Sequence, residues 1–209
     1  MKAIVVMNPK GGSGESTIAT HLAGYFARHG SGAMLGDIDR QQSSRDWLAI
    51  RPDDAPHISS WEVGPDHMAR PPKGVSHVVL DTPAGLSGKQ LEKVVKVAAR
   101  IVVPIQASPF DMWAVEAFLQ EVMALKAVTK GKADIALVGM RVDARTRSAE
   151  TLRQFMSQQE AQVLTFLRPT QLYVQAAAAG LTLFDLPPAR VQKDLLEWQP
   201  LLDWVEQDR

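Results

Sequence analysis

The stretch Asn8-Pro9-Lys10-Gly11-Gly12-Ser13-Gly14-Glu15-Ser16-Thr17 joins a short apolar run, Ala3 to Met7, to a segment whose apolar residues fall at Ile18, Leu22, Tyr25 and Phe26. The run predicts a buried strand and the spacing after it predicts a helix. Strand, glycine-rich turn and helix form the setting in which backbone N–H groups and a helix N-terminus cradle phosphates. The general pattern of such loops has a lysine where this chain has Glu15. The loop is therefore recognisable while its main cation is replaced by an acid.

Beyond the loop, apolar runs alternate with helical patterns. Strands are expected at Ala3–Met7, Ala33–Asp37, His77–Asp81, Arg100–Gln106 and Ile135–Met140, with one more short strand at His57–Trp61. Helices are expected at Ser16–His29, Lys89–Ala99, Pro109–Val128, Ser148–Gln158 and Pro188–Val205, the last interrupted by Pro200. Residues 51–76 carry Pro52, Pro56, Pro65, Pro71 and Pro72 and read as loop. Continuous apolar strands separated by helices imply an α/β fold, a mostly parallel twisted sheet with helices on both faces. At 209 residues the chain fits one domain, 1–209.

Composition narrows the chemistry. A formal net charge of zero supplies no global field toward nucleic acid or anionic lipid, so either would need a local patch. The absence of cysteine excludes disulfides, thiolate metal clusters and a Cys nucleophile. The five histidines show no metal-ligand spacing. Gly11-Gly12-Ser13-Gly14-Glu15 fails the G-x-S-x-G pattern at its last position, which argues against a serine hydrolase. The apolar N-terminal run is too short for a secretory signal and no run is long enough to span a bilayer, so a cytoplasmic protein is expected.

Three acids line up with the loop. Asp37 and Asp39 end the second strand in Asp37-Ile38-Asp39-Arg40-Gln41, and Asp81 ends the third in His77-Val78-Val79-Leu80-Asp81-Thr82-Pro83. Ligands on parallel sheets bind at the carboxyl ends of the strands. A strand-end carboxylate beside the loop's Ser/Thr hydroxyl, here Ser16, is how phosphate-loop enzymes hold Mg²⁺.

With these residues the chain resembles the ParA/MinD family of partition ATPases, single-domain phosphate-loop NTPases whose deviant Walker A motif is K-G-G-x-G-K-[ST]-T. Lys10 to Thr17 match it at seven of eight positions, Glu15 being the departure. The likeness continues through Asp37, Asp39 and Gln41, through Asp81 and Pro83, through Pro104 to Asp111, and through Ala179-Gly180-Leu181 to Leu186-Pro187-Pro188. The compact length is similar to the small ParF-like members and to those that position carboxysomes or protein clusters. The resemblance implies ATP and Mg²⁺ as cofactors. Lys10 would be the signature lysine that crosses an ATP-sandwich homodimer, and Asp39 would orient the attacking water. Gly11, Gly12, Ser13 and Gly14 would present N–H groups to the phosphates, with Glu15, Ser16 and Thr17 completing the loop. Ser16, Asp37 and Asp81 would hold the metal. Leu186, Pro187 and Pro188 would flank the adenine, and Met140, followed by Arg141, stands where many relatives carry an adenine-reading Asn. The family further implies ATP-dependent association with nucleoid DNA and a ParB-like or adaptor protein that stimulates hydrolysis, in a cycle that positions a plasmid, carboxysome or protein cluster.

The departure at Glu15 has a calculable size. At about 4 Å and an effective dielectric near 20, one unit-charge pair is worth roughly 4 kcal/mol. Exchanging Lys for Glu removes an attraction and installs a repulsion. After discounting for screening, about 2–3 kcal/mol remains, roughly a hundredfold in affinity. Whether Glu15 is an inactivating substitution of a lysine or the residue of a natural pseudo-ATPase, weak ATP binding, little hydrolysis and a largely monomeric chain are expected. Two other readings stand beside this one: a nucleotide-free interaction module, and an ATP-dependent amidoligase of the cobyrinate or dethiobiotin type. Arg141, Arg145, Arg147 and Arg153 form a candidate patch for non-specific DNA phosphate contacts, diluted by Asp143 and Glu150. The final segment carries Leu195, Leu196, Trp198, Leu201, Leu202 and Trp204, but also Asp194, Glu197, Asp203, Glu206 and Asp208. Its acids would be repelled by anionic lipid, so it is expected to pack on the sheet and no membrane partner is expected.

Overall fold

All six expected strands fall in one sheet, with one strand, Gln162–Phe166, added to it. A computed structural model describes residues 1–64, 67–68 and 73–207. Pro65, Pro71, Pro72 and Asp208, used above, lie outside the described residues. In chain order the main strands are β1 (Lys2–Val6), β2 (Ala33–Asp37), β3 (Ser59–Trp61), β6 (His77–Asp81), β7 (Arg100–Gln106), β8 (Asp134–Met140) and β9 (Gln162–Phe166). Val63–Gly64 (β4) and His67–Met68 (β5) make a separate antiparallel pair. The seven-stranded sheet runs β3-β2-β6-β1-β7-β8-β9, and all neighbours are parallel. This is the phosphate-loop NTPase fold that the sequence leads one to expect.

Alternation along the strands splits the core in two, as a sheet covered on both faces requires. Val5, Val78, Leu80, Ile101, Val103 and Leu137 face α3 (Gly88–Val97), α4 (Pro109–Met123) and α6 (Arg147–Ser157). Ile4, Val6, Val79, Val102, Ala136 and Val138 face α1 (Glu15–Arg28) and α8 (Pro188–Glu206). Three helices come in addition to those expected or by division of one: α2 (Ser43–Ala49), α5 (Lys126–Thr129) and α7 (Gln171–Ala178). The expected helix over Pro109–Val128 is broken, because Leu125 is extended and caps α5.

The expected interruption at Pro200 does not occur: α8 runs through it. Proline removes the N–H that would have bonded the carbonyl four residues back. Here that carbonyl belongs to Leu196, which is 70% exposed, so the lost bond falls on the solvent side of the helix, while Trp198, Leu201, Leu202 and Trp204 are buried on either side and hold the helix down. Trp198 is fully buried, stacks on His21 at 5.2 Å and donates its indole N–H to the Tyr173 hydroxyl at 2.9 Å. His21 is locked neutral, with burial pushing it down to about 4, and its Nε2 accepts from the Leu183 N–H.

One buried ion pair ties the loop after α2 to the turn before α8. The Arg51 guanidinium donates to both oxygens of Asp185 at 3.0 and 3.1 Å, and also to the carbonyls of Pro56 and Gly180. Both side chains are only 4% exposed. Burial alone would raise the Asp185 carboxyl, but bonds from Arg51 and Thr182 outweigh it and hold it below its ordinary range. Removing one partner of such a pair strands the other charge. Arg51→Ala is expected to cost about 3–5 kcal/mol, read as a lower urea midpoint at unchanged slope.

Candidate phosphate-binding site

Sheet register brings the acids together. Val6 on β1, Asp37 on β2 and Asp81 on β6 stand level, because Val6 pairs with Asp81 and Asp81 with Asp37. The loop from Asn8 to Gly14 leaves β1 at that level and enters α1. Its shape is fixed from below: the Asn8 amide donates to the Pro104 carbonyl at 2.5 Å, and Asn8 Oδ1 accepts the Lys10 N–H at 2.7 Å. Ser13 Oγ donates to the Lys10 carbonyl at 2.8 Å, and the Gln106 amide bonds the Gly12 carbonyl. Gly14 has φ 106, and a Cβ there would lie 2.7 Å from the Met140 methyl. No other residue fits that turn unless Met140 moves.

Glu15 opens α1 and is only 7% exposed. Burial pushes its carboxyl above the ordinary range, partly countered by bonds from the backbone N–H groups of Glu15, Gly14 and Ser13. These belong to the loop whose N–H groups a phosphate would use, so the acid stands close to those donors. Asp81 is 2% exposed and accepts the Ser44 hydroxyl at 2.6 Å. Burial pushes it up to about 7, with Asp37 and Glu15 adding repulsion and the Ser44 and Ser16 hydroxyls opposing. Asp37 is raised by burial as well, although it accepts the N–H groups of Asp39, Ser44 and Arg45. Asp39 accepts the Gln41 N–H at 2.9 Å.

A cleft of about 220 Å³ is lined by Gly11, Gly12, Gly14, Glu15, Ser16, Thr17, Asp39 and Asp81, with Gln41, Ser43, Thr82, Ala84 and Arg141. Its hard oxygen donors suit Mg²⁺. Among the described residues no three of His, Cys, Asp and Glu close on one point. The metal would therefore be held by Ser16 and Asp81 together with phosphate oxygens of a ligand, the usual way Mg²⁺ is bound.

Lys10 is not in the cleft: its Nζ bonds Asp111 on α4 at 3.0 Å. Leu186, Pro187 and Pro188 also stand apart. Pro188 lines a separate hollow with Leu195 and Leu196, and none of the three lines the cavity beside the loop. That cavity, of about 620 Å³, joins Thr17, Met140 and Arg141 to Pro169, Thr170, Gln171, Tyr173, Val174 and Ala177. Sequence reading missed the segment Pro169–Ala177. The signal for it was present, since Thr170 accepts the Leu172 N–H and caps α7 as Ser and Thr commonly do. The arginines are dispersed in role. Arg145 is paired with Asp143, and Arg153 with Glu150. Arg147 is exposed at the start of α6, and Arg141 faces the cleft.

The parallel sheet and its glycine loop between β1 and α1 place the chain in the class of phosphate-loop α/β proteins. Within that class the chain belongs to the CobQ/CobB/MinD/ParA nucleotide binding domain family, which matches residues 4–183. It is 27% identical over 212 residues to maintenance of carboxysome distribution protein A of Gloeobacter kilaueensis, covering 99% of this chain and 95% of that one. Among solved structures it is similar to apo McdA of Cyanothece (TM-score 0.75, 14% identity, 97% and 99% of the two chains). A plasmid partition protein of Borrelia burgdorferi bound to AMPPNP gives TM-score 0.74 at 15% identity, over 97% and 99%. Among the described residues no helix is long and apolar enough to cross a membrane.

The raised Asp81 carboxyl makes a stability prediction. Its folded value, about 7, lies above its ordinary 3.8. Its contribution is therefore fully present below the ordinary value and is lost as pH rises through the folded one. Asp81→Asn keeps an acceptor for Ser44 and removes the titration. Thermal melts should show the variant more stable than the parent by about 2–4 kcal/mol at pH 8, with the gap closing toward pH 4.

Proposed function

We propose that residues 1–209 form one ParA-type ATPase domain that positions a cargo, with its nucleotide step weakened by Glu15. The observation that carries this reading is Glu15 itself, a buried acid that opens α1 and lines the cleft beside the glycine loop. An incoming γ-phosphate would meet the charge of that carboxylate. Gly11, Gly12, Ser13 and Gly14 would supply N–H donors, and Ser16 and Asp81 the metal contacts, while Asp37, expected beside them, lies outside the cleft lining and would support the site through the N–H groups of Asp39, Ser44 and Arg45. Bound Mg²⁺ would neutralise charge on the phosphates. Asp39 lines the cleft and would orient the attacking water. Lys10 would leave Asp111 to reach a partner subunit's nucleotide. The cavity under Met140 and Thr170, not the Leu186–Pro188 turn, has room for the base.

The end-to-end likeness to carboxysome distribution protein A supports a positioning role over an amidoligase. In this reading the lysine-bearing form dimerises on ATP, binds nucleoid DNA without sequence preference, and is released when an adaptor stimulates hydrolysis. The protein works in the cytoplasm and joins the nucleoid when ATP-bound. A second reading is favoured by the same loop: an acid and not a cation stands beside its donors, as a nucleotide-free interaction module would tolerate. Adaptor binding that is indifferent to nucleotide would select it.

Glu15→Lys is expected to tighten Mg·ATP by roughly a hundredfold in calorimetry and to shift the protein from monomer to dimer in light scattering. Micromolar affinity in the parent chain would sink this account of Glu15. For DNA, retention of Glu15→Lys with ATP should fall about tenfold or more between about 50 and 200 mM salt. With Arg145 and Arg153 paired to acids, Arg147→Glu should reduce retention most among the arginines of α6 and its approach.

A further inference from the structure

The phosphate cleft is lined by three carboxylates, Glu15, Asp39 and Asp81, and by one cationic side chain, Arg141. Lys10 is turned away onto Asp111. Arg145, Arg153 and Arg168 are each paired with an acid. Among the described residues Arg141 makes no side-chain hydrogen bond or ion pair, although three acids line the same cleft. It also lines the larger cavity, together with Thr17 and Met140, so it sits where the two hollows meet. A nucleotide laid across both would pass its phosphate chain under this residue.

The backbone holds Arg141 there at a cost. β8 ends at Met140, and the chain is drawn back at once because the Val142 N–H bonds the Leu167 carbonyl at 2.9 Å and Val142 is buried. The single residue between them takes φ 52, a left-handed conformation uncommon for a residue with a Cβ. Glycine would serve the turn better. An arginine in that place exposes a guanidinium fork whose geometry matches phosphate oxygens.

We propose that Arg141 is the phosphate-binding cation of this site, acting from the end of β8 where a lysine at position 15 would act from the loop. This rests on the nucleotide reading above. Arg141 belongs to the binding machinery and holds the residual affinity that Glu15 leaves.

Arg141→Gly removes the cation and relieves the left-handed turn, so the variant should melt no lower than the parent. With Mg²⁺ present, titrations of fluorescent ATP and of adenosine separate phosphate from base contacts. Arg141→Gly should weaken ATP by about tenfold or more in the parent chain, leave adenosine unchanged, and be largely rescued by Arg141→Lys. In a Glu15→Lys background the same change should cost less than about threefold, because a second cation is then present. Equal losses of ATP and adenosine, or equal ATP losses in the two backgrounds, would overturn the proposal. So would a parent chain that binds ATP no better than adenosine. If Glu15→Lys binds ATP while the parent does not, the nucleotide reading stands and the role of Arg141 fails; if neither binds, both fail.

Discussion

Parallel pairing of all seven main strands is the constraint from which the rest follows. A parallel strand can be reached only by a crossover over one face of the sheet. Every strand therefore ends on one edge, and residues that follow the strands meet there whatever their distance in sequence. Register does the fine placement. Because β6 lies between β1 and β2, Asp81 stands beside both Val6 and Asp37, and the glycine loop rises directly next to the two acids. A slip of one residue in either pairing would turn an aspartate to the opposite face.

That convergence concentrates negative charge where little water reaches. Asp81 bears most of the consequence, with Glu15 and Asp37 raised in the same direction. Hydroxyls and backbone N–H groups from α2 and its approach offset part of it, through Ser44 on Asp81 and the N–H groups of Ser44 and Arg45 on Asp37. The short helix α2 is therefore part of the site's electrostatics, although it brings only Trp47 as a buried large apolar side chain. A site that served only packing would place apolar residues at such buried positions, since unpaired buried charge is costly.

Legibility in the sequence follows burial. Strands β1, β2, β6, β7 and β8 are covered on both faces and read as continuous apolar runs, so their places were plain. β9 was missed because it is an edge strand: Gln162 is exposed, only Thr165 is fully buried, and its pairing with β8 carries a register irregularity. α2 and α7 were missed for the same kind of reason, each burying too few apolar residues to show a helical period. The acids and the glycine loop were legible because their chemistry is local. The wall formed by Pro169, Thr170 and Tyr173 was not, since it comes from α7 and its approach, elements that periodicity did not reveal. The left-handed turn at Arg141 could not be read either, because it is set by the Val142–Leu167 hydrogen bond between two strand ends.

Glu15 and Arg141 together bear on whether this is an abandoned site. A loop that had merely lost its lysine would have no reason to keep an arginine in a conformation glycine prefers, lining a cleft of acids without pairing to any of them. Nor would it gain from a buried Asp81 whose ionisation opposes folding at neutral pH. Local rules are broken at both residues and kept around them, the pattern expected where function and not stability sets the choice. The charge at the cleft has been rearranged: the acid sits inside the loop and the cation across from it. A polyphosphate entering this site would meet its attraction from the β8 side and its repulsion from the α1 side, the reverse of the arrangement that a lysine-bearing loop provides.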